Sequence, residues 1–292
     1  MNYQVKIADV SDPATERALR ELIQSANHSP ALLPEKFLAK NLDSKATQKS
    51  FFLVAEEDGK IIGCNGFLAN DFTCNGRQYS GYQSCWSATH PDHQGKKVFS
   101  SIINEAKRML KEQGAGFLYG IANDNSHPIF TKKLGFTETG SQVLRMINLP
   151  FMRKHRIIPL ASMNRTNACI IDEQQVMRHK LEQFPGEIKR VDHNNSWLWG
   201  KLLTKRKFGM NWKVFYVGGV QLDSEKDLQS LLKKLSDSYE PSVVQFFSCA
   251  SNTFNPLLNG WKQSKMNGFI FYNLNMPEPA HLNLMIGVLD IF

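Results

Sequence analysis

The first half of the chain alternates between short apolar runs with the two-residue period of strands and longer segments with the spacing of helices. Residues 51–56 and 60–68 predict a hairpin around a turn that ends in Gly59, and residues 79–89 predict a strand that stops before Pro91. Residues 98–114 have apolar positions at helical spacing. With a strand and two helical pieces before them and a strand, helix and strand after them, these segments predict the order βααββ, then βαβαβ. This order is typical of a mixed α/β (α+β) fold.

The second half of the chain repeats similar segments. Its predicted elements are strands at 187–191, 212–217, 243–248 and 268–272 and helices at 194–203, 225–235 and 254–262. Residues 148–166 contain two prolines and a basic cluster without a sustained period, which predicts a linker. We therefore expect one domain at residues 1–147 and another at residues 167–292, joined by the linker at 148–166.

Composition and charge argue against several classes of protein, namely nucleic-acid-binding, zinc-binding, secreted and membrane-inserted proteins. The formal net charge is +8, with 17 Lys+Arg against 15 Asp+Glu up to Pro150 and 18 against 12 after it. The basic residues come mainly in pairs, so we expect no nucleic acid partner. The five cysteines form an odd set without CxxC spacing, which indicates neither a disulfide framework nor a zinc site and favours a reducing compartment. The polar N-terminus and the lack of a long apolar run predict neither secretion nor membrane insertion, so we expect a cytoplasmic protein.

The most informative polar residues lie at a predicted junction of strand and helix, residues 88–99, which reads Ala-Thr-His-Pro-Asp-His-Gln-Gly-Lys-Lys-Val-Phe. Such a junction leaves backbone N–H groups unpaired at the positive end of the helix dipole, where phosphate can bind. Gly95 allows the backbone to come close to a ligand, and Lys96 and Lys97 add positive charge. On these residues alone, an ordinary surface turn is the alternative to a phosphate site.

This junction resembles the pyrophosphate loop of the GNAT acetyltransferase superfamily, whose pattern is Gln or Arg, two residues, Gly, one residue, and Gly or Ala. Gln94 matches the first position, and Gly95 and Lys96 match residues common at the next two. Lys97 and Phe99 stand where the family prefers glycine or alanine. The resemblance implies acetyl-CoA or another acyl-CoA as co-substrate, with its pyrophosphate held by amides of residues 94–97 and the neighbouring Val98.

A second segment, residues 123–136, is similar to the strand and helix of the family that end in Lys-x-Gly-Phe. In the family an asparagine here reaches the pantetheine arm, which implies this role for Asn123 or Asn125. The resemblance also places Phe130 on the coenzyme side and Lys132 and Lys133 near the adenosine phosphates. A solvated helix face is the alternative for the two lysines.

The GNAT fold implies a mixed central sheet flanked by helices, in which two parallel strands splay apart at Thr89 and Gly120. Backbone groups of Ser87, Ala88 and Thr89 would then pair with pantetheine and aim the thioester into the gap. Transfer would depend mainly on positioning, because holding amine and thioester together removes the entropic cost of their encounter. A free strand N–H near these residues would polarise the thioester carbonyl.

The resemblance leaves the acid and base open. Many relatives use a tyrosine on the last helix to protonate the departing thiolate, but Thr131 holds that position here. Its hydroxyl is a poor acid, so Tyr82, Tyr119 or water is expected in this role. His127 and Asp71 are the candidate bases. Each of these side chains has an ordinary loop, surface or core role as its alternative.

The second half is expected to be a degenerate GNAT-like α/β domain, because Gly218-Gly-Val-Gln-Leu-Asp-Ser has no basic anion loop. Its tryptophans, Trp197, Trp199 and Trp212, are predicted as core residues, with stacking on a sugar or base as the alternative. The ending Leu289-Asp-Ile-Phe resembles endings of tandem GNAT proteins associated with bacterial polysaccharide biosynthesis.

These observations together predict an N-acyltransferase that moves an acetyl or other acyl group from CoA to the amine of a small acceptor, such as a nucleotide-linked amino sugar. An aminoglycoside or a peptide amine is the alternative acceptor, because acceptor loops carry little sequence signal. A non-catalytic protein that binds acyl-CoA, or a scaffold, is the alternative from another class. A homodimer is left open.

Overall fold

The computed structural model describes residues 2–26, 32–138, 141–147, 168–207, 209–224, 226–249, 262–265, 268–276, 281–282 and 287. Residue contacts divide the chain into two compact units. The first unit comprises Met1–Thr73, Arg77–Glu138 and Phe269–Pro279. The second unit comprises Cys74–Gly76, Thr139–Gly268 and Ala280–Phe292.

The elements follow one another along the chain in a largely alternating order. In the first part they are β1 (Gln4–Ala8), α1 (Pro13–Ala26), α2 (Phe37–Leu42), β2 (Phe51–Glu57), β3 (Lys60–Cys74), β4 (Arg77–Thr89), α3 (Val98–Glu112), β5 (Phe117–Ile121), α4 (His127–Lys133), β6 (Thr137–Glu138) and β7 (Ser141–Ile147). They continue as β8 (Ala168–Ile171), α5 (Glu173–Gln183), β9 (Ile188–His193), β10 (Ser196–Lys207), β11 (Met210–Gln221), α6 (Asp227–Tyr239), β12 (Val243–Cys249), β13 (Lys262–Lys265), β14 (Phe269–Asn273) and β15 (His281–Leu282).

The sheet of the first unit runs in the order β1-β2-β3-β4-β5-β14-β6. The pairs β1–β2, β2–β3, β5–β14 and β14–β6 are antiparallel, whereas β4 and β5 are parallel. The predicted hairpin is present, and Asp58 and Gly59 at its turn both have positive φ, 49° and 74°, as a type I′ turn requires. The predicted mixed α/β fold is confirmed.

The parallel strands β4 and β5 are paired over a short stretch only. Their register runs from Gly81–Phe117 to Gln83–Tyr119, but β4 continues to Thr89. Beyond Tyr119, β5 is paired with β14 on its other side. The two strands therefore separate after Gln83, earlier along β4 than the predicted position at Thr89.

Helix α3 packs on this sheet through the stripe that its sequence predicts. Val98, Ile102, Ile103, Ala106 and Leu110 are all buried, in one cluster with apolar residues of β2 to β5 and α4. Burying a Val, Leu or Ile side chain contributes roughly 1.5–3 kcal/mol. The stripe thus fixes where the N-terminus of α3 stands relative to the end of β4.

The second unit has its own sheet, ordered β13-β7-β12-β11-β10-β9, and β8 pairs with β15. Strands β11 and β12 are parallel and are connected by α6, whose leucines pack into the core of the unit. The second unit therefore contains a βαβ crossover, as the first does with β4, α3 and β5.

Two strands belong to a different unit from the one that the predicted domain boundaries imply. Strand β7, predicted as the end of the first domain, pairs with β12 and β13 in the second unit. Strand β14, predicted within the second domain, pairs with β5 and β6 in the first unit. Both pairings join residues about a hundred or more positions apart, a separation that local sequence patterns do not reveal. The predicted linker, residues 148–166, lies outside the described residues.

A predicted helix at 194–203 is wrong, because this segment is the strand β10, paired on one side with β9 and on the other with β11. Trp197 and Trp199 are buried there, as predicted for core aromatics, while Trp212 on β11 is partly exposed. The predicted helix at 254–262 lies almost wholly outside the described residues, and its last residue, Lys262, is in a strand.

The cysteine pattern also misled the prediction, since Cys74 and Cys169 form a disulfide. Their separation of 95 residues leaves no local spacing to recognise. The reducing compartment inferred from the odd set of cysteines therefore loses that support. Cys64 and Cys85 are buried and take part in no disulfide. Within the described residues, every helix is too short or too polar to cross a membrane.

Candidate functional site

The loop between β4 and α3 begins as a tight turn. It starts with a short 3₁₀ helix, Pro91–His93, in which the His90 imidazole accepts a bond from the amide of Asp92. The amides of His93, Gln94 and Lys96 donate to the carbonyl oxygens of His90, Pro91 and His93 at 2.9, 3.2 and 3.3 Å. The backbone donors of this turn are thus largely used within the turn itself.

The next amides have no such partners. Gly95 and Lys97 both adopt positive φ, 77° and 62°, and Lys97 caps α3 without a side-chain hydrogen bond. Among the hydrogen bonds of the described residues, none satisfies the amides of Gly95, Lys97 or the first helical turn that starts at Val98. A Cβ placed on Gly95 would meet no atom within 4 Å, so the space before it is open. We call Gly95, Lys97 and Val98 with the two following residues the amide cradle.

The amide cradle is suited to an anion. Unpaired N–H groups at a helix N-terminus point outward at the positive end of the dipole, and alternating backbone conformations bring them together around one ligand. Lys96 and Lys97 are exposed beside it and add positive charge. Of the four predicted amides at residues 94–97, those of Gly95 and Lys97 are unpaired, whereas those of Gln94 and Lys96 are bonded inside the turn.

The bulky residue at the position where the GNAT family prefers glycine or alanine is accommodated by core packing. The Phe99 ring meets Phe130 of α4 edge-on, with 5.2 Å between ring centroids. Phe130 is buried and contacts Phe136 in the same way at 4.8 Å. Phe99 therefore ties the first turn of α3 to α4, and Phe130, predicted on the coenzyme side, serves as the core partner.

The end of β4 carries a break in the strand and a buried polar cluster. Trp86 has φ of 46°, which is costly for a large side chain and marks an irregular residue in the strand. Asn65 on β3 is fully buried, and its Oδ1 accepts bonds from the hydroxyls of Ser84 at 3.1 Å and Ser87 at 2.5 Å. Its Nδ2 donates to the Gly66 carbonyl at 2.7 Å. Asn65 thus holds β4 on both sides of the irregular residue.

Sequence reasoning named Ser87 and missed Asn65. The asparagine stands in an otherwise apolar strand, Ile61-Ile-Gly-Cys-Asn-Gly-Phe-Leu. A buried polar residue needs hydrogen-bond partners, so the asparagine within an apolar run could have indicated a buried polar cluster. Of the other predicted residues of β4, Ala88 is buried, and Ser87 and Thr89 are partly exposed.

The tyrosines proposed as acids are core residues. Tyr82 is 2% exposed, and burial, with a further contribution from the Asp71 carboxylate, raises its pKa to about 12. Tyr119 is fully buried, and its hydroxyl accepts a bond from Asn70 at 2.9 Å. Asp71 accepts bonds from the amide and hydroxyl of Thr47 at 2.8 and 2.9 Å. Tyr82 is thus packed in the core, and Tyr119 and Asp71 are engaged in hydrogen bonds that stabilise the fold.

The predicted residues of α4 are held mainly by one another. Asn123 Oδ1 accepts bonds from the amides of Asn125 and Ser126, at 3.1 and 2.9 Å, and so stabilises the turn that precedes the helix. Thr131 donates its hydroxyl proton to the carbonyl of His127 at 2.9 Å. His127 Nε2 lies 3.0 Å from a carboxylate oxygen of Glu138, and its side chain is 25% exposed. Of these groups, His127 is the one with both a carboxylate partner and access to solvent.

The equivalent helix start in the second unit is already filled by a side chain. Asp227, at the beginning of α6, is 7% exposed and accepts bonds from the amide of Ser224 at 3.1 Å and the hydroxyl of Ser196 at 2.8 Å. The amide of Asp223 donates to the same hydroxyl at 2.8 Å. A carboxylate thus occupies the position where an anion would bind, in contrast to the open amide cradle.

No cluster of three or more His, Cys, Asp or Glu side chains within the described part of the chain could hold a metal ion.

Comparison with known proteins agrees with the mixed α/β fold described above. Residues 13–139 match the family model of the acetyltransferase (GNAT) domain. No curated protein matches the sequence of this chain.

Three solved structures are similar in fold over nearly the whole chain. A GCN5-related N-acetyltransferase from Anabaena variabilis is 11% identical, with a TM-score of 0.64 over 94% of this chain and 73% of its own. A probable N-acyltransferase from Enterococcus faecalis is 13% identical, with a TM-score of 0.63 over 94% and 73%. Eis1 from Mycobacterium abscessus is 11% identical, with a TM-score of 0.59 over 93% and 73%. At such identities these likenesses establish the fold alone.

Proposed function

We propose that this chain is an acyl-CoA-dependent N-acyltransferase that transfers an acetyl or other acyl group from coenzyme A to the amine of a small acceptor. The observation that carries the proposal is the amide cradle at the start of α3, which follows the stretch of β4 that is not paired with β5. It lies within residues 13–139, which match the acetyltransferase domain model.

The residues present fit the coenzyme. A diphosphate needs several convergent donors without a competing carboxylate, and the amide cradle supplies such donors, with open space before Gly95. Lys96 and Lys97 are placed to neutralise the phosphate charges. Bound acyl-CoA supplies the thioester whose acyl carbon the amine attacks.

In this proposal the thioester of acyl-CoA lies in the gap between β4 and β5. Beyond Gln83 the backbone of β4 has no partner on β5, so groups of Ser87 and Thr89 are candidates to pair with pantetheine and to polarise the thioester carbonyl. Asn65 acts as a positioning residue in this proposal, because it holds Ser84 and Ser87 on either side of the irregular Trp86.

For proton transfer we assign the base to His127 and the acid to water. The Glu138 carboxylate near Nε2 stabilises the charged imidazolium that forms when His127 takes a proton from the amine. Water protonates the departing thiolate, since Thr131 is bonded to a backbone carbonyl and Tyr82 is buried. Substitution of His127 by Gln should lower kcat by about 10²–10⁴-fold while leaving the affinity for acetyl-CoA unchanged. Equal activity of the variant would remove His127 from the mechanism.

The second unit is proposed to be a degenerate GNAT-like copy that supplies structure or acceptor contacts. Its βαβ crossover and the filled helix start at Asp227 support this assignment. The charge of +6 after Pro150 favours a phosphorylated acceptor such as a nucleotide-linked amino sugar. A role in bacterial polysaccharide biosynthesis, a cytoplasmic location and a homodimer stay predictions.

Thermal unfolding with and without acetyl-CoA tests coenzyme binding. Ligand at about 100 times its Kd should stabilise the protein by about 2.7 kcal/mol. Substitution of Gly95 by Glu should abolish this shift, because bulk and negative charge would enter the amide cradle. The matched control is Gly186→Glu, at a glycine that also has positive φ and open space around it. A wild-type protein without any shift, or a Gly95→Glu variant with the full shift, would refute the site.

A second candidate function is non-catalytic binding of acyl-CoA, favoured by Thr131 at the position of the usual tyrosine and by its engaged hydroxyl. Release of free thiol from acetyl-CoA distinguishes the two functions. Thiol release that depends on an added amino sugar, aminoglycoside or peptide amine supports the transferase and identifies the acceptor class. Coenzyme binding without release across this panel supports the binding protein.

A further inference from the structure

The hairpin of β10 and β11 in the second unit is longer than the strands beside it. Strand β9 pairs with β10 only as far as Lys201, and β12 pairs with β11 only from Val214 to Val217. Strands β10 and β11 remain paired with each other to Lys207 and Met210. Residues 202–207 and 210–213 therefore form a two-stranded ribbon with no third strand among the described residues, which we call the outer ribbon.

The outer ribbon is positively charged throughout. From Asn194 to Leu222 the sequence has five Lys or Arg and no Asp or Glu. Lys205, Arg206 and Lys213 are exposed. Among the ion pairs of the described residues, Lys213 has a carboxylate 3.9 Å away, from Glu240, and Lys205 and Arg206 have none. The charge of the ribbon is thus largely available to an external anion.

Apolar side chains lie on the same ribbon. Four large hydrophobic residues in the described chain are exposed, and two of them, Leu203 at 38% and Met210 at 55%, are here. In the register, Leu203 is paired with Val214 and Lys205 with Trp212, and Met210 lies two residues before Trp212, so Leu203, Lys205 and Met210 share one face. The opposite face begins with Leu202 and Phe215, which pack into the core of the unit.

Such a surface combines exposed apolar side chains with exposed basic ones. We infer that the outer ribbon docks on membrane surfaces that contain anionic lipids. The ribbon enters with its free end first, so that Leu203 and Met210 reach the boundary between headgroups and acyl chains, while Lys205 on the same face and Arg206 on the opposite face bind lipid phosphates. Nucleic acid would use the positive charge but would leave the two exposed aliphatic side chains in water. The inference rests on the second unit alone and is independent of the proposed acyl transfer.

Co-sedimentation of the full chain with vesicles tests this inference. The vesicles are phosphatidylcholine alone or an equimolar mixture of phosphatidylcholine and phosphatidylserine, at about 0.1 M and about 1 M salt. The protein should bind the mixed vesicles at low salt and lose most of this binding at high salt. Lys205→Gln with Arg206→Gln should weaken binding about thirtyfold, as expected for two charges near an anionic surface.

Two further variants separate the ribbon from overall charge. Lys49→Gln with Lys226→Gln removes two exposed lysines outside the ribbon and should leave binding within about threefold of the wild type. Leu203→Ser with Met210→Ser keeps the charge and should weaken binding at least about tenfold, since two apolar side chains no longer enter the bilayer. Circular dichroism and thermal unfolding confirm that each variant is folded.

The contrary outcomes are distinct. The inference is overturned if the wild type ignores mixed vesicles, or if the control pair weakens binding as much as the ribbon pair. It is also overturned if the Leu203 and Met210 variant binds vesicles like the wild type while single-stranded or duplex DNA binds through Lys205 and Arg206. That last result would assign the outer ribbon to nucleic acid instead.

Discussion

A methyl group added at Gly63 should disturb coenzyme binding although this residue lies outside the amide cradle. Gly63 is on β3, directly beneath the first residue of α3. A Cβ there would lie 2.5 Å from Cγ1 of Val98, 3.4 Å from Cδ1 of Ile102 and 3.5 Å from the carbonyl oxygen of Ala88. Carbon atoms in contact prefer about 3.5–4.0 Å, so Val98 must move by about 1 Å. Val98 is 1% exposed and stiff at χ1, so its backbone must move with the side chain.

The expected loss of stability and of coenzyme affinity in Gly63→Ala can be estimated from the contacts that it disturbs. Overpacking of this kind costs about 1–3 kcal/mol of stability. A lost hydrogen bond between an amide and a charged phosphate costs about 1.5–3 kcal/mol, which corresponds to about ten- to a hundredfold in affinity. Isothermal titration calorimetry should therefore find acetyl-CoA binding to Gly63→Ala weakened by this factor.

A second substitution should reverse the effect. Gly63→Ala combined with Val98→Ala removes the clashing methyl group and should restore most of the affinity, which is a coupling that independent sites would not show. Gly81→Ala on β4, in the stretch that is paired with β5, is the control. Its Cβ would crowd Phe117 at 2.5 Å and Phe72 at 2.7 Å, so it should lower stability without changing coenzyme affinity. Wild-type affinity in Gly63→Ala, or no recovery in the double variant, would refute this reasoning.

Three other predictions concern stability. Asn65→Leu should lower the free energy of unfolding by about 1–3 kcal/mol in a denaturant titration, because it leaves the partly buried hydroxyls of Ser84 and Ser87 without their acceptor; no loss would contradict the role given to Asn65. Reduction of Cys74–Cys169, or Cys74→Ser, should cost about 2–5 kcal/mol, because the bridge closes a long loop, and an unchanged Tm under reductant would count against the disulfide. Burial raises the pKa values of Cys64 and Tyr82 to about 12, whereas the unfolded chain ionises them near about 8.5 and 10. The stability that the two protonated side chains contribute is thus complete below about pH 8.5 and is lost as the pH rises towards 12. The alkaline unfolding transition of Tyr82→Phe should therefore lie at higher pH than that of the wild type. A transition at the same pH would show that ionisation of Tyr82 does not cause alkaline unfolding.

Local patterns predicted the elements around the candidate site well. The turn at Gly59, the stop of β4 before Pro91 and the apolar stripe of α3 each depend on neighbours in sequence. The amide cradle follows from the same local rules, since it is the junction between a strand and a helix N-terminus without a side-chain cap. Even there, the sequence did not show that the amides of Gln94 and Lys96 are used inside the turn.

Long-range pairings were beyond such patterns. Strands β7 and β14 join sheets far from their sequence neighbours, and the disulfide connects cysteines 95 residues apart. Two-sided pairing of β10 overrode the apparent helical pattern around Trp199. The side chains chosen as acids by residue type, above all Tyr82, are in the core, because chemical type does not reveal which face of a strand is buried.

The most direct test of the central claim is the response of backbone amide resonances to coenzyme A, followed by NMR in isotope-labelled protein. The amide signals of Gly95, Lys97 and Val98 should shift downfield and exchange more slowly with solvent as these groups bind phosphate. The amide of Ser224, which already donates to Asp227, should stay unchanged. Coenzyme that binds without moving the three cradle amides, or that moves Ser224 instead, would contradict the assignment.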